Sequence, residues 1–91
     1  MEEKNDPERL TGAQLRAARA FLGISSETLA KESGVSVRTI RRAEIDHGAV
    51  NMQAPNEDGL RQALEKRGVV FDFTGNHGVR LRSKPKPRFG D

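Results

Sequence analysis

Apolar residues recur at helical spacing over 12–44 and again over 56–68; beyond residue 68 the spacing is that of strands. Leu15, Ala18 and Leu22 fall on one face of a first helix, with Arg19 beside Ala18. Thr11-Gly12-Ala13-Gln14 has the form of a capping box, Thr at the N-cap and Gln at N3, and Gly23 suits a left-handed stop. These signals predict a helix over 12–22. Ser25 or Ser26 caps a second short helix, with Glu27 in its first turn, Leu29 and Ala30 facing inward and Gly34 at its end. Ser36 is the next good N-cap, and Ile40 and Ala43 mark the inner side of a third helix over 37–44.

Residues 45–55 lack a clean period and read as a loop. Asn56 can cap a fourth helix with Glu57 and Asp58 in its first turn and Leu60, Ala63 and Leu64 on its inner face. Gly59 weakens the first turn of that helix, and Gly68 ends it. The period then changes. Residues 69–73 are β-prone, 74–78 are turn-rich, and 79–82 alternate apolar with basic, which predicts a β-hairpin. Phe71, Phe73, Val79 and Leu81 would share one face of it, and Asp72, Arg80 and Arg82 the other.

The expected fold class is therefore mainly α: four to five helices followed by a short C-terminal β-hairpin. The expected organisation is a disordered lead over 1–9, a helical domain over 10–68, a hairpin extension over 69–82 and a flexible basic tail over 83–91. The hairpin belongs either to the same domain or to a dimer contact, because two strands are marginal on their own.

Composition narrows the function. A chain of 91 residues makes at most one small domain, and without cysteine it has neither a disulfide framework nor a thiolate metal site. No apolar run reaches membrane-spanning length, and the charged start has no signal-peptide core, so a cytoplasmic protein without membrane partners is expected. The net charge of +3 is unevenly spread. The lead is acidic and residues 45–67 are nearly neutral. One basic block includes Arg38, Arg41 and Arg42, and the other runs from Arg80 into the tail. Local basic clusters suit a polyanionic partner. His47 and His77 have no companion ligands, so no metal site is expected. The serines read as caps and turn groups, no nucleophile elbow or phosphate loop occurs, and neither enzyme activity nor a cofactor is expected.

The segment Ser25-Ser26-Glu27-Thr28-Leu29-Ala30-Lys31-Glu32-Ser33-Gly34-Val35-Ser36-Val37-Arg38-Thr39-Ile40-Arg41-Arg42-Ala43-Glu44 carries the strongest signal. Two short helices joined by a tight glycine turn form a helix-turn-helix. Ala30 is small where the helices cross, Gly34 permits the turn, Val35 and Ile40 fill the gap, and polar residues remain on the outer face of the third helix. With Arg16-Ala17-Ala18-Arg19 and Gly23-Ile24-Ser25 upstream, residues 10–44 resemble the Cro and phage-repressor type (XRE-like) helix-turn-helix family.

The resemblance implies a phage-repressor-like domain whose third helix reads the DNA major groove. Val37, Arg38 and Arg42 would contact bases, and Ser26, Ser36, Thr39 and Arg41 the DNA backbone. This agrees with the chemistry: Arg can bond guanine O6 and N7 together, and Val can touch a thymine methyl. Ser26 stands where the family usually has a glutamine, so an amide contact survives but the longer side-chain contact does not. The resemblance also implies a largely buried structural ion pair between Arg19 and Glu44. The chain departs from the family in its long loop before Pro55 and in ending with a hairpin rather than helices.

The expected function is a sequence-specific, double-stranded DNA-binding transcriptional repressor of prokaryotic or phage type, with a possible homodimer contact through Phe71, Phe73, Val79 and Leu81. The alternative is a protein-interaction module, such as an antitoxin or adaptor, that presents the C-terminal hairpin and Phe89 to a partner protein.

Overall fold

In a computed structural model, residues 9–45, 48, 50, 52–73 and 78–82 are described. Among them the chain forms four helices, α1 (Gly12–Leu22), α2 (Ser26–Ser33), α3 (Val37–Ile45) and α4 (Ala54–Lys66), followed by strands β1 (Val69–Phe71) and β2 (Val79–Leu81). The protein is thus mainly helical with a C-terminal antiparallel hairpin. The lead up to residue 8, both histidines, the turn over 74–77, the tail and Phe89 lie outside the described residues.

The helix boundaries follow from local chemistry. At α1 the capping box is complete: the Thr11 hydroxyl accepts from the Gln14 N–H at 3.0 Å, and the Gln14 side-chain oxygen accepts from the Thr11 N–H at 2.9 Å. Gly23 ends α1 at φ 66°. Ser25, not Ser26, is the N-cap of α2, accepting from the Thr28 N–H at 3.0 Å. Ser36 does the same for Thr39 at α3 with a 3.1 Å bond. The turn between α2 and α3 is made by Gly34 at φ 78°, a left-handed conformation that disfavours any residue with a Cβ.

Two boundaries differ from the sequence expectation. Helix α3 continues through Ile45. Helix α4 begins at Ala54, not after an Asn56 cap: the Gln53 carbonyl accepts from Asn56 and Glu57 at 3.0 and 3.1 Å, and Pro55 occupies the first turn. Proline loses nothing there, since the first four N–H groups of a helix lack intrahelical partners. Gly59 also has a role that propensity hides. A Cβ at this position would lie 2.7 Å from the Ser33 carbonyl oxygen, so the missing side chain lets α4 cross the end of α2 closely.

Leu10, Leu15, Ala18, Leu29, Val35, Ile40, Ala43, Val50, Leu60, Ala63, Leu64, Val69 and Phe71 form one buried core. The hairpin is part of this domain, since β1 supplies Val69 and Phe71 to that core. Val69 pairs with Leu81, Val70 with Arg80 and Phe71 with Val79. The strands are shorter than expected, and Phe73 lies beyond them. It packs beside Phe71 at 6.0 Å between ring centroids and lies under the Arg61 guanidinium at 4.7 Å. Asp72 and Arg82 lie just outside the strands, yet each carries the pairing one step further: Asp72 N–H donates to the Gly78 carbonyl at 2.9 Å and Arg82 N–H to the Gly68 carbonyl at 2.6 Å.

The stretch between α3 and α4 is anchored where it meets the start of α1. Gly12 N–H donates to the Gly48 carbonyl and Val50 N–H to the Leu10 carbonyl, each at 2.9 Å. Buried Glu57 accepts from the Leu10 N–H at 2.7 Å and from Arg9 Nε at 3.0 Å, and Arg9 also donates to the Val50 carbonyl. Arg9 therefore belongs to the folded unit rather than to the lead. Glu57 is a tie between distant segments as well as a first-turn acid.

Candidate functional site

Helix α3 has two unlike faces. At about 100° per residue, Ile40, Ala43 and Glu44 fall on one side and are buried. Arg38 and Arg42, one turn apart, fall on the opposite side and are exposed. Val37 and Thr39 are half-buried at the flanks, and Ser36 is exposed at the cap. The Ser36 hydroxyl donates to the Thr39 hydroxyl at 3.0 Å while accepting from its N–H, so both side chains are engaged in starting the helix.

Ser26 is placed differently from the other polar residues. It is the first residue of α2 and is buried, so a direct side-chain contact with a large external partner is sterically restricted. Arg41 lies toward α2, where its guanidinium donates to Glu27 at 3.1 Å with both side chains well exposed. Exposed pairs of this kind contribute at most about 1 kcal/mol, so Arg41 can exchange Glu27 for another anion at little cost.

The support beneath this face is ionic. Arg19 on α1 grips the Glu44 carboxylate through Nε and Nη2, each at 2.8 Å, and donates from Nη1 to the Ile24 carbonyl at 3.0 Å. Glu44 is only 8% exposed. Its hydrogen bond to the guanidinium raises the Arg19 pKa further, against the opposing effect of burial. Arg16 also donates to the backbone carbonyl of Glu44. Two arginines one turn apart on α1 thus hold the carboxylate and the carbonyl of the same residue. That carbonyl is one of the last four of α3, which lack intrahelical donors and carry the negative end of the helix dipole.

The other predicted surface is mostly consumed by packing. Phe71 is buried and Phe73 is half-buried under Arg61; Val79 is half-buried, and Leu81 remains exposed. Three residues have structural partners that the sequence does not reveal: Arg16, Gln14 and Glu57. Gln14 is 1% exposed, and its amide nitrogen donates to the Asp72 and Gly78 carbonyls at 3.1 Å each. Its capping-box role was legible, but its second partners lie at the neck of the hairpin. Among the described residues there is no group of three or more His, Asp or Glu placed to hold a metal ion. No described helix is long and apolar enough to cross a membrane. No protein-family model matches the chain, and the curated proteins yield no significant match.

Proposed function

We propose that the protein is a sequence-specific double-stranded DNA-binding transcriptional regulator that represses by occupying its site, with α3 as the helix that enters the major groove. The observation that carries this reading is the placement of Arg38 and Arg42 together on the exposed face of a helix whose opposite face is pinned to the core. An arginine pair one turn apart, held on a rigid support, suits bidentate contacts to guanine edges. Val37 at the flank would supply an apolar contact, and Arg41, Thr39 and Ser36 would approach phosphates. Ser26 would contribute through its backbone N–H, as the first residue of α2, rather than through its hydroxyl.

The test is selection of bound sequences from random duplex DNA, followed by binding of variants to the selected duplex. Arg38→Ala and Arg42→Ala should each lose about 1–3 kcal/mol on the selected site and less on random duplex. Equal losses on both duplexes would reject base reading. Affinity should also fall steeply with salt, because each neutralised phosphate releases counterions.

A homodimer on a two-fold-symmetric site would place half-sites about 34–36 Å apart. Its contact through the hairpin rests on exposed Leu81 and half-buried Val79. Leu81→Glu should then lower the mass seen in sedimentation without loss of fold. The protein-partner reading has less support, because Phe71 and Phe73 are engaged within the chain.

A further inference from the structure

Ile45 is the last residue of α3, and it is 76% exposed. It follows Arg38 by seven positions, close to two turns, and Arg42 by three. On the helix it therefore shares the outer face with these two arginines, opposite Ile40 and Ala43. The helix end that carries it is held in place: the carboxylate and the carbonyl of the preceding residue are bound by Arg19 and Arg16. A β-branched side chain in a helix has essentially one χ1 rotamer, so Ile45 presents its methyl groups in one direction. The result is an apolar tip, fixed in position, at the edge of a cationic face.

On the reading of α3 as a DNA-reading helix, we propose that Ile45 is a specificity-determining residue that packs against the 5-methyl group of a thymine. That methyl is the apolar group the major groove offers to a protein. Arg38 and Arg42 supply the attraction to a phosphate-rich duplex, and close approach there removes the isoleucine from water. Seven residues of helix advance about 10 Å, roughly three base-pair steps of 3.4 Å. The thymine therefore lies about three base pairs from the base addressed by Arg38.

The experiment uses the full chain and the duplex it selects from a random library. Each thymine in turn is replaced by deoxyuridine, which lacks only the methyl group. One replacement should weaken binding by about fourfold, the factor expected for burying one methyl-sized group. Ile45→Ala should bind the parent duplex about fourfold less tightly or worse and should be indifferent to that same replacement. The inference is overturned if Ile45→Ala keeps the full thymine preference at every position, or if it binds the parent duplex as tightly as the original chain. It is also overturned if Ile45→Ala lowers the sedimenting mass and weakens all duplexes alike, which would make Ile45 a contact between copies. In these cases the losses in Arg38→Ala and Arg42→Ala would still stand, so the DNA-reading role of α3 would survive. If the chain prefers no duplex over another, that role fails and Ile45 fails with it.

Discussion

Helix α1 carries two other elements on its sides, and it holds them by opposite chemistry. It holds α3 through charge: Arg19 makes a two-pronged bond to Glu44, and Arg16 binds the carbonyl of the same residue. It holds the hairpin through a neutral amide: Gln14 donates to the Asp72 and Gly78 carbonyls while its oxygen accepts from Thr11. The charged clamp stays partly in contact with water through Arg19, whose side chain is 24% exposed. The amide sits essentially out of water. This difference is physically reasonable. Burying an ion is costly even when it is paired, whereas a buried amide is tolerated once its donors and acceptors are satisfied. The two clamps should therefore fail differently.

The largest effect is expected at the ionic clamp. Glu44→Ala removes one partner and leaves the Arg19 guanidinium in a partly buried place without its carboxylate. A loss of about 3 kcal/mol or more is expected in urea denaturation. A change below about 1 kcal/mol would show that the Arg19–Glu44 pair contributes little to holding α3. At the neutral clamp, Gln14→Ala should cost about 1–3 kcal/mol by stranding the groups it served. Its signature should be local, with faster amide exchange in Val69–Phe71 and Val79–Leu81 than in α2 and α3. Uniform acceleration across the chain would instead make the hairpin inseparable from the helical core.

A third junction, α2 on α4, uses neither charge nor amide at its closest point, only the absence of a side chain. Gly59→Ala gains helix propensity but must push a methyl group off the Ser33 carbonyl oxygen. A net loss of about 1–2 kcal/mol is expected in thermal unfolding; a gain in stability would mean that the crossing relaxes freely. The smallest effect belongs to the cap at the start of α3. Ser36→Ala removes the bond to the Thr39 N–H and should cost about 1 kcal/mol. If it also weakens DNA binding by more than the stability change explains, Ser36 touches the duplex as well.

What the sequence revealed follows the range of each interaction. Thr11 with Gln14, Ser25 with Thr28 and Ser36 with Thr39 are pairs three residues apart, so the starts of α1, α2 and α3 could be read locally. The outward placement of Arg38 and Arg42 followed from helical period. The start of α4 departs from its local signal because Asn56 is a good cap by type, while Pro55 and the Gln53 carbonyl decide the matter. Gly59 looked like a local weakness because its reason lies on another helix. Glu57 looked like a dipole residue because its partners, Arg9 and Leu10, lie far back along the chain. Ile45 reads as loop because the helical pattern of apolar residues stops at Ala43. The residue before it, Glu44, is held by arginines of α1, which no local pattern records.

The Gln14 amide has a consequence for how the chain is made. Its partners are separated from it by 58 and 64 positions, so they emerge from the ribosome long after α1 has been synthesised. The α2–α3 pair can form from neighbouring residues as soon as they are free, but the Gln14 amide nitrogen exchanges water for its protein partners only when the Asp72 and Gly78 carbonyls have arrived. The nascent protein therefore cannot complete its core progressively from the first residue. The contact that joins α1 to the neck of the hairpin closes only after residue 78 has been made.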